Sequence, residues 1–376
     1  MANSMKKYEL LLVGGGTGGH AAPILAIYEH LSNNPKLNIS VVGVGSVEER
    51  VFLGKIPEYR VVCSGKIHRE FTIKNVLELL KLACGLVQSV LLLTVKRPDM
   101  VFSKGGYASL PIVLTSKFLR IPYFFHESDI EMGKTNRIVA GGAGKIFVTY
   151  PLEKYKGMPK ERMVFSGPIL RESFYKKVLP DRKDFGFKND KPVILVTGGS
   201  QGSLLLSEKT IDAAKKLLCN FNIIHQAGKH SIEIATKFRD SLDSKLKSSY
   251  YACEFLKNDS GKDLMVSAIN LADLVVARAG STIVEMAILG KVMILVPWKY
   301  SAQDHQLKNA KYFVSAKSAK MITDDDLSAE TLVDQIDYLF KNKNLINELS
   351  ENAKKLFPAS GTELVCSEIL KMLEEI

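Results

Sequence analysis

Residues 8–20 read YELLLVGGGTGGH, and residues 191–203 read KPVILVTGGSQGS. Each begins as a short apolar run with no polar alternation, the pattern of a strand buried on both faces, and stops at a glycine-rich turn that leads into a helical pattern. A strand buried on both faces needs helices above and below it, so each stretch opens a βαβ unit of an α/β domain. The signature stands twice, once at the head of each half. It predicts two doubly wound, Rossmann-like domains in tandem, with ligand crevices at the carboxyl ends of their strands, facing one another across a central cleft.

Working outward, runs rich in Val, Ile and Leu and bounded by Gly, Pro or Asn place first-half strands near 39–44, 60–62, 99–103, 121–125, 145–149 and 162–166. Second-half strands fall near 192–197, 221–225, 249–254, 273–276 and 292–296. Turn residues Ser166-Gly167-Pro168 mark the joint. A chain of 376 residues, 46% of them hydrophobic, has core enough for two domains, and its 24% of charged residues argues against a coiled coil or long disordered tails.

Cys63, Cys84, Cys219, Cys253 and Cys366 are odd in number and form no C-x-x-C pair, as fits a reducing compartment. Leu10 to Val13, the apolar stretch after Lys6 and Lys7, is too short for a signal-peptide core, so a cytosolic protein is expected. The net charge of +11 is uneven: residues 1–170 hold 22 Lys and Arg against 13 Asp and Glu, and the remainder is nearly balanced. A basic first half suits an anionic membrane surface better than nucleic acid, since no zinc-finger spacing, RNP motif or basic-aromatic interleaving is present. Leu82 to Val95 carries no charge and is shorter than the roughly 20 residues that span a bilayer. Two readings stay open for it: a buried helix of the first domain, or a helix that lays one face in the membrane interface between basic flanks.

Gly14-Gly15-Gly16-Thr17-Gly18-Gly19-His20 lacks the side chains that would keep a phosphate or sugar from the backbone, and Pro23 is placed to start the following helix. A loose G-x-G-x-x-G lies within it, but ISVVGVGS ends without the acidic residue that a nicotinamide nucleotide's ribose requires, which argues against a dehydrogenase. His20, beside this cradle, is a candidate general base. The second loop, Thr197 to Ser203, offers backbone N–H groups at a helix start and is a candidate diphosphate site. In Arg278-Ala279-Gly280-Ser281-Thr282-Ile283-Val284-Glu285 the carboxylate falls one turn inside a helix, where it can accept two bonds from a ribose diol. Pro297-Trp298 and Gln303-Asp304-His305-Gln306 supply loop amides and an imidazole for sugar hydroxyls. Asp324-Asp325-Asp326 superficially offers a metal cluster, but it precedes LSAETLVDQIDYLF, so the expectation is carboxylates capping a helix, with no metal and no cofactor.

GGGTGGH, GGSQGS, RAGSTIVE and DHQLKNA, in this order over almost the whole chain, resemble the MurG family, the peripheral-membrane N-acetylglucosaminyltransferases of peptidoglycan synthesis. The resemblance implies an α/β GT-B fold and an inverting, metal-independent transfer of N-acetylglucosamine from UDP-GlcNAc to the muramyl 4-hydroxyl of undecaprenyl-pyrophosphoryl-MurNAc-pentapeptide (lipid I). The product is lipid II, made on the cytoplasmic face of the bacterial inner membrane. It implies a first domain, 1–168, facing acceptor and membrane, a UDP-GlcNAc domain, 169–357, and a C-terminal helix, about 358–376, packed back on the first.

By the same resemblance Thr17, Gly18 and Gly19 lie at the reaction centre with His20 as base and Glu127 as the next candidate. Ser200 lies near the donor diphosphate, Arg171 follows the joint, Leu256 sits beside uracil, Glu285 holds the ribose, and His305 and Gln306 grip the transferred sugar. The chain departs from the family at His126-Glu127-Ser128-Asp129, where H-E-Q-N is usual, so Asp129 has no N–H to donate. Gly280 to Glu285 is one residue shorter than usual. Competing readings are another GT-B transferase acting on a membrane lipid, a UDP-GlcNAc epimerase, and a sugar-nucleotide-binding membrane scaffold without turnover.

Overall fold

The computed structural model describes residues 7–16, 18–45, 52, 55–66, 73–176, 180–199, 201–256, 258–259 and 262–376. The chain divides into two compact units, one of residues 1–172 with 358–376 and one of residues 173–357.

The first unit runs β1 (Tyr8–Val13), α1 (Gly18–Leu31), β2 (Leu37–Gly43), β3 (Tyr59–Val61), α2 (Ile73–Lys96), β4 (Met100–Ser103), α3 (Leu110–Phe118), β5 (Tyr123–Glu127), α4 (Lys134–Val139), β6 (Lys145–Val148) and β7 (Met163–Phe165). The seven strands are all parallel, in the order β3-β2-β1-β4-β5-β6-β7. The order reverses between β1 and β4, so their carboxyl ends frame the crevice of a doubly wound sheet.

The second unit runs β8 (Val193–Thr197), α5 (Leu204–Leu217), β9 (Asn222–Gln226), α6 (Ile232–Ser241), α7 (Ser244–Lys247), β10 (Tyr250–Cys253), β11 (Asn258–Asp259), β12 (Lys262–Asp263), α8 (Leu264–Leu271), β13 (Leu274–Ala277), α9 (Thr282–Ile288), β14 (Met293–Leu295), α10 (His305–Ser315), β15 (Lys320–Met321), α11 (Ala329–Lys341) and α12 (Lys343–Lys354). Its main sheet, β10-β9-β8-β13-β14-β15, repeats the reversal between β8 and β13. The hairpin β11-β12 and the edge strand β15 are too short to leave a periodic signal and were not expected. The α/β class with two doubly wound sheets, read from the two glycine-ended strands, is the one observed, as the GT-B fold implied by the resemblance requires.

Helix α13 (Gly361–Glu375) belongs to the first unit: Val365, Cys366, Ile369 and Leu373 sit in the same apolar cluster as Leu10, Ile24, Ile27 and Phe147. Thr362 Oγ1 bonds both the N–H and the carbonyl of Leu170 at 2.8 Å, and Lys145 pairs with Glu368.

Two local expectations need correction, and one open reading is decided. Helix α1 begins at Gly18, so Pro23 lies inside it, where its nitrogen cannot donate to the Gly19 carbonyl. Asp324 to Asp326 do not cap α11; Ser328 does, through Oγ to Thr331 N at 3.0 Å. The apolar stretch of residues 82–95 is not core. It belongs to a 24-residue helix, about 36 Å long, whose buried face is small and polar (Asn75, Gly85, Ser89, with Leu93). Val76, Leu77, Leu80, Val87, Leu91 and Val95 are exposed instead. Glu78 and Lys81 interrupt the pattern in sequence, but Asn75–Lys96 is long and apolar enough to cross a membrane by length and composition, with 17% of that window buried.

Candidate active site

In the first unit two glycine loops meet at the reversal. Gly16 takes φ +86°, and a Cβ there would lie 2.7 Å from the Tyr107 ring. A Cβ on Gly106 would lie 2.9 Å from Cε1 of His20. The loops after β1 and β4 therefore lie flush, Tyr107 over Gly16 and the His20 imidazole over Gly106, and only glycine permits the approach. His20 is half-buried in the first turn of α1, with Gly18 half-buried and Gly19 exposed before it. Thr17 lies outside the described residues. Sequence reasoning missed the second loop, Lys104-Gly105-Gly106-Tyr107, although two adjacent glycines after an expected strand are a signal of the same kind.

Glu127 ends β5, buried, and both its oxygens are in use. Oε1 accepts from Asp129 N at 3.0 Å, and Oε2 accepts from Gly133 N and Asn136 Nδ2, each at 2.9 Å. Burial and the charge of Asp129 push its carboxyl up, opposed by Lys104 and the N–H donors. Those bonds fold the 128–133 turn back on Glu127, and Asn136 packs in turn on Gly105. His126 is buried and points its Nε2–H at the Gly167 carbonyl, 3.0 Å away; burial and Lys104 hold it well below 6.5, hence neutral. Asp129 is half-buried, and its carbonyl accepts from Tyr155 Oη at 2.9 Å. Arg171, half-buried, is the penultimate residue of the stretch that ends at Glu172.

In the second unit the glycine loop after β8 is held from two sides. Gln226 Nε2 donates to Thr197 Oγ1 at 3.0 Å and to the Gly199 carbonyl at 3.3 Å, while its Oε1 accepts from Leu256 N at 3.1 Å. A Cβ on Gly228 would lie 2.3 Å from Gly202 Cα, so the two turns touch backbone to backbone. Arg278, at the end of β13, donates through Nε and Nη2 to Ser203 Oγ at 3.0 and 2.6 Å, and through Nη1 to Val296 O at 3.0 Å and Asp324 Oδ1 at 2.5 Å. Ser203 caps α5, so Arg278 fixes the helix start that the loop feeds. Asp324 also accepts from Lys299 N, and Asp325 pairs with Lys299 Nζ. These aspartates are locked into the loop scaffold. Ser200 lies outside the described residues.

Leu256 is buried against this loop and Glu285 is half-buried in the first turn of α9. His305 and Gln306 open helix α10 rather than lying in a loop, preceded by Gln303 and Asp304 with φ of 54° and 53°. His305 Nδ1 bonds the Ala302 carbonyl at 2.7 Å, and Gln306 Oε1 accepts from Trp298 N at 2.9 Å. Asn309, buried, holds the Ala279 carbonyl at 3.0 Å and so ties α10 to the turn before α9. Gln226, Arg278 and Asn309 were not expected as site-shaping residues, because their partners are distant in sequence.

Two doubly wound sheets with a glycine loop at each reversal are the architecture of the GT-B class. The glycosyltransferase family 28 N-terminal domain matches residues 10–148 and the family 28 C-terminal domain matches residues 193–365. The UDP-N-acetylglucosamine--N-acetylmuramyl-(pentapeptide) pyrophosphoryl-undecaprenol N-acetylglucosamine transferase of Clostridium botulinum strain Hall is 33% identical over 96% of this chain and 99% of its own. A Bacillus cereus relative of the same name, numbered 2, is 32% identical over 96% and 97%. The chain belongs to this family of N-acetylglucosamine transferases. The crystal structure of Acinetobacter baumannii MurG superposes with a TM-score of 0.70 at 24% identity, covering 97% of this chain and 99% of that one. A UDP complex of S. aureus MnaA gives 0.72 at 16%, covering 98% of both. Both likenesses concern the fold.

Proposed function

We propose that the chain transfers N-acetylglucosamine from UDP-GlcNAc to the muramyl 4-hydroxyl of lipid I, giving lipid II. The observation that carries this is the full-length kinship with the Clostridium botulinum transferase, together with a glycine loop at the strand-order reversal of each unit. The second unit takes the donor: the loop after β8 and the start of α5 receive the diphosphate, Glu285 the ribose diol, and His305 and Gln306 the transferred sugar. The first unit takes the acceptor: His20, held against Gly106, removes the 4-hydroxyl proton as that oxygen attacks the anomeric carbon and UDP departs, with inversion. Backbone N–H groups of the second glycine loop and the α5 terminus stabilise the leaving diphosphate without a metal. Glu127, with both oxygens engaged, shapes the acceptor loop rather than taking the proton.

The acceptor's polyprenyl chain keeps it in the bilayer, and helix α2 supplies the docking face. Its outward side chains are apolar, Phe118 at the end of α3 is 81% exposed, and Lys96, Arg97, Lys117 and Arg120 lie close by in the chain. The backbone at Gly85 lies against that of Cys63 and the backbone at Gly65 against that of Glu78, which supports a helix lying along the membrane over one crossing it. On this reading the protein is a peripheral one, seated on an anionic cytoplasmic face. Transfer of labelled N-acetylglucosamine from UDP-GlcNAc to a lipid-linked muramyl pentapeptide tests the reading; hydrolysis or 2-epimerisation of UDP-GlcNAc without transfer overturns it.

A further inference from the structure

Thr197 closes β8, where the order of the second sheet reverses, and it is only 3% exposed. Its Oγ1 accepts from Gly199 N at 3.1 Å and from Gln226 Nε2 at 3.0 Å. The second of these bonds can run in one direction only. Gln226, buried at the end of β9, meets the Leu256 N–H at 3.1 Å with one end of its amide and the Gly199 carbonyl at 3.3 Å with the other. An N–H needs the amide oxygen and a carbonyl needs the amide nitrogen, so the group cannot be turned over and its nitrogen stays on Thr197.

A hydroxyl has two lone pairs and one proton. Two N–H groups occupy both lone pairs of Thr197, which leaves it a pure donor with its proton directed away from them. Among the described residues no acceptor is in place for that proton. A buried donor left without an acceptor is costly to keep. The turn beside it is tight at one glycine and open at the next: a Cβ on Gly198 would lie 2.5 Å from Ser203 N, at the start of α5, whereas a Cβ on Gly199 would meet nothing within 4 Å. A donor of fixed polarity next to a helix start suits an anion whose oxygens only accept.

We propose that Thr197 is a further diphosphate-binding residue, its hydroxyl donating to a diphosphate oxygen of the nucleotide, and that Gln226 is the positioning residue that fixes this polarity. The inference rests on reading the second unit as the donor side. The bond strengthens as negative charge builds on the departing UDP, so it serves the transfer as well as the binding.

The test uses the full chain at about pH 8 with three probes, UDP, inorganic pyrophosphate and uridine, in calorimetry or competition. Thr197→Val keeps the shape and loses the proton; it weakens UDP and pyrophosphate about tenfold and leaves uridine within about twofold. Thr197→Ser restores all three to within about threefold of the wild type. In Gln226→Glu the carboxylate can only accept and draws the Thr197 proton inward, so adding Thr197→Val costs less than about twofold more. A crystal structure of the wild-type UDP complex places Thr197 Oγ1 about 3 Å from a diphosphate oxygen, and this decides the matter even if a variant fails to fold. Equal losses on uridine and UDP, as from a loop that has merely shifted, overturn the proposal. So do undiminished UDP binding by Thr197→Val, a tenfold cost that persists in the Gln226→Glu background, or an Oγ1 more than about 4 Å from the diphosphate. If the wild type binds pyrophosphate but not UDP, the donor reading falls while the pyrophosphate series still decides the role of Thr197; if it binds neither, both fall.

Discussion

Arg278 and Asp324 meet at 2.5 Å in the second unit, with only 7% and 5% of their side chains exposed. The pair joins the end of β13 to the segment after β15 and, through Ser203, fixes the helix start behind the glycine loop. Arg278→Met leaves the Asp324 carboxylate buried without its cation and should cost about 3–5 kcal/mol in urea unfolding, the range for breaking a buried pair. Arg278→Met with Asp324→Asn should recover part of that loss. If the single variant unfolds like the wild type, the pair is not holding the loop.

His20→Ala should lower kcat by about 100-fold to 10,000-fold, as expected for loss of a general base, while UDP affinity stays unchanged. Stopped-flow single turnover separates this from slow product release. A loss below about tenfold moves the proton to another acceptor.

Glu285→Ala should weaken UDP by about 1.5–3 kcal/mol, the worth of hydrogen bonds to a charged group. Calorimetry with UDP and with 2′-deoxy-UDP checks the assignment, since the variant should bind both alike. Undiminished UDP binding removes Glu285 from the site.

Turnover should survive EDTA, because Asp324 and Asp325 are already paired with Arg278 and Lys299 and the diphosphate has backbone N–H groups to meet it. Loss of activity in chelator, with rescue by magnesium or manganese, contradicts this.

Leu80→Gln, Val87→Gln and Leu91→Gln together should release the full chain from anionic vesicles, since each apolar side chain withdrawn from water contributes up to about 1.5–3 kcal/mol. High salt should weaken wild-type binding without abolishing it, because basic residues add about 1 kcal/mol each near an anionic surface. Equal binding to neutral vesicles sinks the electrostatic part, and binding undisturbed by the triple change sinks the apolar part.

The two glycine-ended strands were legible because a buried parallel strand and its turn are local patterns, and nearly every expected strand lies within two residues of an observed one. Helix α2 was only half legible, a buried helix and an interfacial one both staying open, for a physical reason. An apolar stretch looks like core whichever way it faces, and here small residues, Gly85 and Ser89, take the inside because they allow close backbone approach. Charge proximity to LSAETLVDQIDYLF suggested a cap at Asp324 to Asp326, but the partner that decides their role, Arg278, is 46 positions away in the chain. Gln226 and Lys104 escaped notice likewise, since a polar residue at a strand end carries no mark of what it will touch.

Helix α13 gives the first unit a late completion. Its cluster of Leu10, Ile24 and Phe147 is closed by Val365, Cys366 and Ile369, residues that leave the ribosome only after the whole second unit has been made. During synthesis that flank of the first unit stays open until the second unit has been made. A chain that lacks Gly361–Glu375 would therefore be left unfinished at its beginning rather than at its end.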